Sequence, residues 1–382
     1  MHVLQISFFI DPQARQPQQL LSDWYSLVDV GASVASAGVQ VSVAQASQFS
    51  DCIQHQGVTF HFVRPDAEGA AMVQGREFRE LLALTRPDVF HVHGLNFPRD
   101  IAALQKLAPG IPVLLQDHAN SVPRFWRRPA WRRGLAQVDA VAFSAAEQVT
   151  PFIEARVLPR DVGICEYPGT ATRFTAGDQA EARALTGIHG DPCILWVGQL
   201  NDRKDPLCVL RGFASCLERL PNAHLWCCYG LAPLLEPVQR FLASYPALAE
   251  RVHLIGKVPH ERVEHLMRAA DIFVLGSHFE GSGFALMEAF STGVWPVVTD
   301  IASFRGLTAG GKVGTLWQCG DAAGFARALL DVAARPRAAL RRTALEHFSR
   351  ELSFEACGRK LRDAYDAMIA RRKSRAPVGA LA

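Results

Sequence analysis

Short apolar segments alternate along this chain with longer segments in which apolar residues recur every three to four positions. This alternation predicts buried parallel strands joined by helices that cover both faces of a sheet. The fold class is therefore expected to be α/β. In the first half, a helix is predicted over 20–37, with Gly38 as its C-cap, and strands are predicted over 3–9, 40–44, 58–63, 89–93, 113–116 and 140–144.

The alternation is interrupted over 166–177 by Pro, Gly and Thr and then resumes. Helices are predicted over 178–185, 206–217, 234–242, 263–270 and 284–291, and strands over 194–197, 224–228, 252–255, 271–275 and 295–299. Because 382 residues exceed what one core usually holds, we expect two domains, 1–175 and 176–355. Residues 356–382 are expected to form a helix that packs toward the N-terminal domain, followed by a basic tail.

Composition excludes several classes of protein. Apolar residues at 49% and charged residues at 20% are typical of globular chains and exclude a disordered one. A net charge of +3 is too small to indicate nucleic-acid binding. Nine cysteines without CxxC spacing predict buried thiols in a reducing compartment. Without a leader or a long apolar run, we expect a cytoplasmic protein, with peripheral membrane contact left open.

The most informative segment follows the predicted strand 271–275. Gly281-Ser282-Gly283 allows a tight turn that presents backbone N–H groups at a helix N-terminus, which favours anions such as a diphosphate. Glu280 precedes this turn and can accept hydrogen bonds from sugar hydroxyls. Glu288 lies eight residues on, among apolar neighbours, so a partner or ligand is expected for its charge. The alternative is that Glu280 is a helix-capping carboxylate and Glu288 is a solvated helix residue.

The segment from Glu280 to Glu288 resembles the E-x7-E motif of retaining glycosyltransferase family 4. Residues 262–271 and 293–300 are similar to the family's flanking segments, and the resemblance covers 160–335 well and the N-terminal half more loosely. It implies the GT-B fold, in which two Rossmann-like, doubly wound domains face each other across a cleft. It also implies that Glu280 contacts the donor sugar, that Glu288 binds the ribose, and that the segment between them holds phosphate and sugar, namely Gly281, Ser282, Gly283, Phe284, Ala285 and Leu286.

A second loop follows the predicted strand 194–197. It contains Gly198 and Lys204 and resembles the family's phosphate-binding loop, in which an arginine and a lysine hold the diphosphate. Lys204 matches the lysine, and the alternative for it is a solvated loop residue. Gln199 occupies the arginine position, and its neutral amide cannot supply the charge. Arg203 either substitutes for that arginine or points outward.

Two further segments resemble family loops. Lys257 and Val258 match the loop against which the nucleobase packs, where an ordinary strand exit is the alternative. His118 follows the strand 113–116 and matches a histidine that approaches the donor sugar; a structural histidine is the alternative. The catalytic candidates are therefore His118, Lys204 and Glu280. No side chain is a convincing covalent nucleophile.

Three features lie outside these motifs. His91 and His93 share a strand face, but no third ligand is evident, so neither a metal nor a cofactor is expected. The first loop, 7–15, lacks the paired glycines of many relatives. The segment from Arg124 to Arg133 holds five arginines and two tryptophans; a solvated helix face is favoured, and contact with anionic lipid or an anionic acceptor is the alternative. The basic stretch 371–375 has the same two interpretations.

The sequence therefore predicts a glycosyltransferase that moves a sugar from a nucleotide-diphosphate sugar to a glycan, lipid-linked or small-molecule acceptor. Retention of configuration follows only from the resemblance. One alternative is a non-catalytic nucleotide-sugar-binding subunit, which Gln199 and the glycine-poor first loop favour. A sugar-nucleotide epimerase or hydrolase is the other, which the E-x7-E segment and Lys204 disfavour.

Overall fold

The computed structural model of the chain describes residues 1–67, 71–169 and 171–375. These residues form two compact units, each with its own sheet. The N-terminal unit runs to residue 170 and resumes at Phe354, and the C-terminal unit is Ala171–Ser353.

The N-terminal unit is an eight-stranded sheet in the order β3-β4-β2-β1-β5-β6-β7-β8, and only the edge strand β3 is antiparallel to its neighbour. Its strands are β1 (His2–Ser7), β2 (Gln40–Ala46), β3 (Asp51–His55), β4 (Val58–Val63), β5 (Val89–His93), β6 (Val113–Gln116), β7 (Ala140–Phe143) and β8 (Gly163–Glu166). Its helices up to β8 are α1 (Pro17–Asp23), α2 (Tyr25–Ser36), α3 (Arg76–Thr85), α4 (Pro98–Leu107), α5 (Arg128–Gly134) and α6 (Thr150–Glu154).

Three sequence predictions in this unit need correction. The single helix predicted over 20–37 is two helices, because the backbone leaves helical geometry at Trp24. The first strand ends at Ser7 rather than at residue 9, and Phe9 is exposed beyond it. The edge strands β3 and β8 were not predicted, because their partly exposed residues carry no continuous apolar run.

The C-terminal unit is a six-stranded parallel sheet in the order β11-β10-β9-β12-β13-β14. Its strands are β9 (Cys193–Val197), β10 (His224–Cys228), β11 (Val252–Gly256), β12 (Ile272–Leu275), β13 (Trp295–Thr299) and β14 (Thr315–Trp317). Its helices are α7 (Gln179–Thr186), α8 (Pro206–Ala214), α9 (Leu235–Ala243), α10 (Pro246–Ala249), α11 (His260–Ala269), α12 (Phe284–Thr292), α13 (Ala302–Leu307), α14 (Ala322–Ala333) and α15 (Arg337–His347).

The strands of this second sheet were easier to predict because their buried residues form continuous apolar runs in the sequence. The residues of β12 and β13 are all buried, since helices cover both faces of the sheet. The three-residue strand β14 is too short to give a sequence pattern and was not predicted. The loops after β9, β12 and β11 all leave the carboxyl edge of this sheet, which is where doubly wound sheets bind ligands.

The last helix, α16 (Phe354–Arg375), belongs to the N-terminal unit and packs along α2. Ser33 Oγ donates to the Phe354 carbonyl at 2.6 Å. A Cβ on Gly358 would lie 2.0 Å from the Ser33 carbonyl oxygen, so the close approach of the two helices requires glycine there. The part of the predicted basic tail beyond residue 375 lies outside the described residues.

The nine cysteines are all free thiols, and six of them are buried. The prediction of buried thiols is wrong for three, since Cys52 is exposed and Cys165 and Cys319 are half-buried. Across the described residues, none of the helices is both long enough and apolar enough to cross a bilayer.

Candidate functional site

A glycine-dependent turn connects β12 to α12. Gly283 adopts a φ of +66° immediately before the helix, and a Cβ at this position would lie 2.8 Å from Leu307 Cδ1. Both the conformation and the close contact therefore require glycine. In the described residues no side chain caps α12, so its first N–H groups form the kind of helix end that binds anions.

Lys204 and Glu280 form a buried ion pair beside this turn. Lys204 Nζ donates to Glu280 Oε1, and each side chain is only 10% exposed. Ser277 Oγ also donates to Glu280 Oε1, at 2.7 Å. The Ser277 carbonyl is in turn held by Thr299 Oγ1. The loops after β9 and β12 thus meet at one carboxylate, and Thr299 at the end of β13 holds the backbone of the second loop.

The loop after β9 has a defined shape that explains the burial of Lys204. Asn201 Oδ1 accepts from the Lys204 backbone N–H at 3.0 Å, and Asp205 then adopts a left-handed conformation with a φ of 47°. Asp205 Oδ1 caps α8 by accepting from the Cys208 N–H at 3.1 Å. The aliphatic stem of Lys204 passes close to Gly198, where a Cβ would lie 3.6 Å from Lys204 Cε.

Gln199 and Arg203 take different positions in this loop. Gln199 Oε1 accepts from Asn201 Nδ2 at 2.8 Å, so its amide is used within the loop. Arg203 is exposed, and its carbonyl accepts from the His278 N–H at 2.8 Å. Of the two neighbouring cations, the structure buries Lys204 at Glu280 and leaves Arg203 at the surface.

Glu288 is held by a histidine that the sequence analysis did not identify. His260 Nε2 donates to Glu288 Oε1 at 2.9 Å, while the Glu288 side chain is 11% exposed and the His260 side chain is 65% exposed. This hydrogen bond raises the pKa of His260 above its ordinary value. The His260 ring also lies 4.6 Å from that of Phe174, centroid to centroid.

The segment predicted to contact the nucleobase lies at the end of β11. Gly256 has a φ of +78°, and its carbonyl accepts from the Tyr229 N–H at 3.0 Å. Lys257 is exposed and Val258 is half-buried. His260 begins α11 two residues later, so one short segment contains the predicted base contacts and the partner of Glu288.

His118, in the N-terminal unit, lies at the carboxyl edge of its sheet. Its Nε2 is 3.2 Å from His93 Nδ1, and the His93 ring stacks on that of His91 with centroids 4.9 Å apart. His91 Nδ1 shares a hydrogen bond of 2.7 Å with the hydroxyl of Tyr365. Displacement of water by protein lowers the pKa of His118 to about 4 and that of His91 to about 3.

Most of the site residues named from the sequence lie in three loops of the C-terminal unit or in the helix α12 that follows one of them. The loop residues are Gly198, Arg203, Lys204, Lys257, Val258, Glu280, Gly281, Ser282 and Gly283, and the helix residues are Phe284, Ala285, Leu286 and Glu288. Direct bonding joins Lys204 to Glu280, whereas Glu288 is bonded to His260. Ser277 and His260, the partners of the two glutamates, were not predicted from the sequence. His260 directly follows a Gly-Lys-Val-Pro strand exit, but nothing in the sequence indicates that it faces Glu288.

Part of the chain is similar in sequence to known glycosyl transferases. Residues 178–346 match the family described as glycosyl transferases group 1. The chain is 29% identical over 202 residues to a D-inositol 3-phosphate glycosyltransferase of Nocardia farcinica, covering 51% of this chain and 45% of that protein. It is 26% identical over 237 residues to a GDP-mannose:cellobiosyl-diphosphopolyprenol alpha-mannosyltransferase of Xanthomonas oryzae pv. oryzae, covering 58% of each. The chain thus spans about half the length of these relatives.

Solved structures extend the likeness in fold to nearly the whole chain. A sucrose-phosphate synthase of Thermosynechococcus elongatus has a TM-score of 0.65 at 18% identity, covering 97% of this chain and 99% of that one. Anabaena HepE in complex with UDP has a TM-score of 0.67 at 14% identity, covering 96% and 100%. The chain has the GT-B fold with two Rossmann-like α/β domains, and its C-terminal unit is similar in sequence to glycosyl transferases of group 1.

Proposed function

We propose that this protein is a glycosyltransferase that binds a nucleotide-diphosphate sugar on its C-terminal unit and transfers the sugar to a hydroxyl acceptor. The observation that carries the proposal is the Lys204–Glu280 pair beside the start of α12, where the N-cap residue is Gly283. A cation, a carboxylate and a helix N-terminus are then adjacent at the carboxyl edge of a doubly wound sheet. Two of the relatives named above are glycosyltransferases, which supports the same reaction class.

The donor is proposed to lie across three loops. Lys204 has three N–H donors, so one can remain on Glu280 while the others bind diphosphate oxygens. Glu280 would accept from sugar hydroxyls, and Glu288 from the ribose. Lys257 and Val258 would flank the base. A bound UDP in the similar Anabaena structure supports a nucleotide ligand for this fold.

Leaving-group stabilisation is the proposed source of catalysis. As the bond between the anomeric carbon and the diphosphate breaks, negative charge grows on the departing oxygen. The acceptor oxygen bonds to that carbon, and its proton passes to the departing diphosphate. Lys204 and the N–H groups at the start of α12 are fixed in advance, so they stabilise this charge with little reorganisation. We also propose that the configuration at the sugar is retained, that the protein belongs to family 4 and that His118 contacts the donor sugar. These three proposals rest on the resemblance of the sequence motifs to that family.

The proposal is tested by incubating the protein with UDP-, GDP- and ADP-sugars and a broad acceptor set and measuring nucleotide release. We expect release with one nucleotide class, and loss of release in Lys204→Ala. A second candidate, a non-catalytic binding subunit, is favoured by the use of the Gln199 amide within its own loop. Tight nucleotide binding without release under any acceptor would establish that candidate instead.

For the acceptor, we propose an anionic molecule bound at the N-terminal unit. A pocket lies between the loop that starts α4 and the segment that starts α5, and its lining includes Arg99, Trp126 and Arg127. The two relatives named above act on inositol 3-phosphate and on a diphosphopolyprenol, both of which carry phosphate. Arg99→Gln and Arg127→Gln should raise the KM for a phosphorylated acceptor and leave nucleotide affinity unchanged. An unchanged KM would contradict this location.

Peripheral membrane contact through 124–133 is proposed on separate grounds. Phe125 and Trp126 are 73% and 58% exposed, and Arg124 lies over the Trp126 ring at 5.3 Å from its centroid. Exposed aromatic rings among arginines suit an anionic bilayer surface. The test is sedimentation with vesicles of phosphatidylglycerol and of phosphatidylcholine. Binding to the former alone, lost in Phe125→Ser/Trp126→Ser, is expected; equal recovery with both, or with neither, would contradict the contact.

A further inference from the structure

Three histidines converge at the amino edge of the C-terminal sheet, opposite the edge that carries the candidate donor site. His224 is the first residue of β10, His253 is the second residue of β11, and His189 precedes β9. One ring nitrogen from each lies within 4.8 Å of the others. Three separate segments of the chain therefore deliver imidazole nitrogens to one point.

The spacing suits a small metal ion. His224 Nδ1 and His253 Nε2 are 2.8 Å apart, and the ring centroid of His189 lies 4.6 Å from that of His224. Two nitrogens bonded tetrahedrally to one ion at 2.0–2.1 Å are about 3.3 Å apart. Opening the His224–His253 pair by roughly half an ångström would admit the ion.

The surroundings orient two of the three ligands. His189 Nδ1 lies 3.2 Å from the Gly187 carbonyl and can only donate to it, which leaves the His189 Nε2 lone pair for a metal. Trp226 Nε1 donates to the His189 carbonyl at 2.8 Å. The Trp226 ring also stacks on that of His253 with centroids 3.8 Å apart. One tryptophan thus packs against two of the histidines.

Arg251 acts against binding. Its Nη1 lies 3.1 Å from His224 Nε2, and because a guanidinium only donates, this nitrogen must accept. His224 is therefore neutral without metal, with its proton on Nδ1, shared with His253 Nε2. Binding through Nδ1 moves that proton to Nε2, with no net proton release, and Arg251 must turn away. Its positive charge also repels a dication.

We propose that His189, His224 and His253 form a binding site for a late first-row dication such as Zn²⁺ or Ni²⁺. Neutral imidazoles select such ions over Mg²⁺ and Ca²⁺, which prefer oxygen ligands. Three protein ligands leave a fourth position for water. The bound ion connects the amino ends of β9, β10 and β11. The site is independent of the proposed transferase function, because the residues proposed for that function lie at the opposite edge of the sheet.

Calorimetry with tag-free protein and Zn²⁺ tests the site. We expect one bound ion per chain and no response to Mg²⁺. Affinity should fall by about tenfold or more in His224→Ala and in His253→Ala, while His55→Ala, in the N-terminal unit, serves as the matched control and should leave it unchanged. Absence of Zn²⁺ binding, or equal effects of all three variants, would overturn the proposal.

Two further variants test the site without removing any of the three histidines, so a folding defect caused by losing a histidine cannot explain their results. Arg251→Gln leaves the three ligands in place and removes the repelling charge, so it should bind Zn²⁺ more tightly than the parent protein. Ni²⁺ should quench the emission of Trp226, and Trp226→Phe should remove that quenching while one Ni²⁺ still binds. Weaker binding in Arg251→Gln, or quenching that persists in Trp226→Phe, would overturn the assignment of the ion to this cluster.

Discussion

Lys204 Nζ and Glu280 Oε1 are bonded to one another in the interior of the C-terminal unit, although 76 positions separate the two residues in the chain. The pair connects the loop after β9 to the loop after β12. Each charge is buried and compensates the other, so the pair fixes the position of the Lys204 ammonium, which we propose to contact the donor phosphates.

Removing either partner should destabilise the protein. Lys204→Met removes the Lys204 ammonium from the buried Glu280 carboxylate, and Glu280→Met removes that carboxylate from the buried ammonium. Breaking a buried pair costs about 3–5 kcal/mol. We expect each single variant to melt below the parent, and the double variant to melt above both singles, by differential scanning calorimetry. Destabilisations that simply add in the double variant would show that the two side chains are not coupled.

The Glu288–His260 hydrogen bond predicts a pH dependence with a defined sign. Since the folded pKa of His260 is raised, its stabilising contribution is full below the unfolded pKa of about 6.5 and is lost as pH rises through the folded pKa. Histidine NMR titration, with the His260 signal assigned from His260→Gln, should give a pKa above 6.5. Glu288→Gln should return it toward 6.5. An unaltered His260 pKa in Glu288→Gln would contradict the pairing.

Alanine should destabilise the protein more at Gly283 than at Gly187, which has a similar φ but no close neighbour. Gly283→Ala incurs both a positive φ and a contact of 2.8 Å with Leu307, whereas Gly187, with a φ of +77°, has no atom within 4 Å of an added Cβ. Positive φ alone costs about 1–2 kcal/mol. Thermal melting should therefore show a larger loss for Gly283→Ala than for Gly187→Ala. Equal losses would mean that the close contact relaxes freely.

The sequence predicted the C-terminal sheet better than the contacts made at its edge. Buried strands such as β12 and β13 give continuous apolar runs, and the turn at Gly283 is recognisable because glycine there is followed by a helix. The hydrogen-bond partners of Glu280 and Glu288 could not be predicted in this way. Ser277 and His260 are ordinary polar residues in sequence. The shape of the loop after β12 brings Ser277 to Glu280, three residues further on, and the segments after β11 and β12 leave the same sheet edge, which brings His260 to Glu288.

The histidines of the N-terminal unit should make the protein sensitive to acid. Because the pKa of His118 is lowered to about 4, the unfolded chain binds its proton first, and stability should fall as pH drops from about 6.5 toward 4. His118→Gln should melt with a weaker pH dependence over that interval, while His55→Gln should follow the parent protein. The pKa values of His91 and His93 are also lowered, so these two residues should keep part of the pH dependence of stability in the variant. A slope identical in His118→Gln and parent would contradict the neutral, desolvated imidazole.

Calorimetric titration with UDP, GDP and ADP tests the central claim most directly. Charge-assisted hydrogen bonds contribute about 1.5–3 kcal/mol, so Lys204→Ala should weaken the preferred nucleotide by about tenfold or more. Glu288→Ala should also weaken it, through the ribose. Lys312→Ala, which removes an exposed charge from the same unit, is the control and should change nothing. Unchanged affinity for all three nucleotides in both Lys204→Ala and Glu288→Ala would contradict the account.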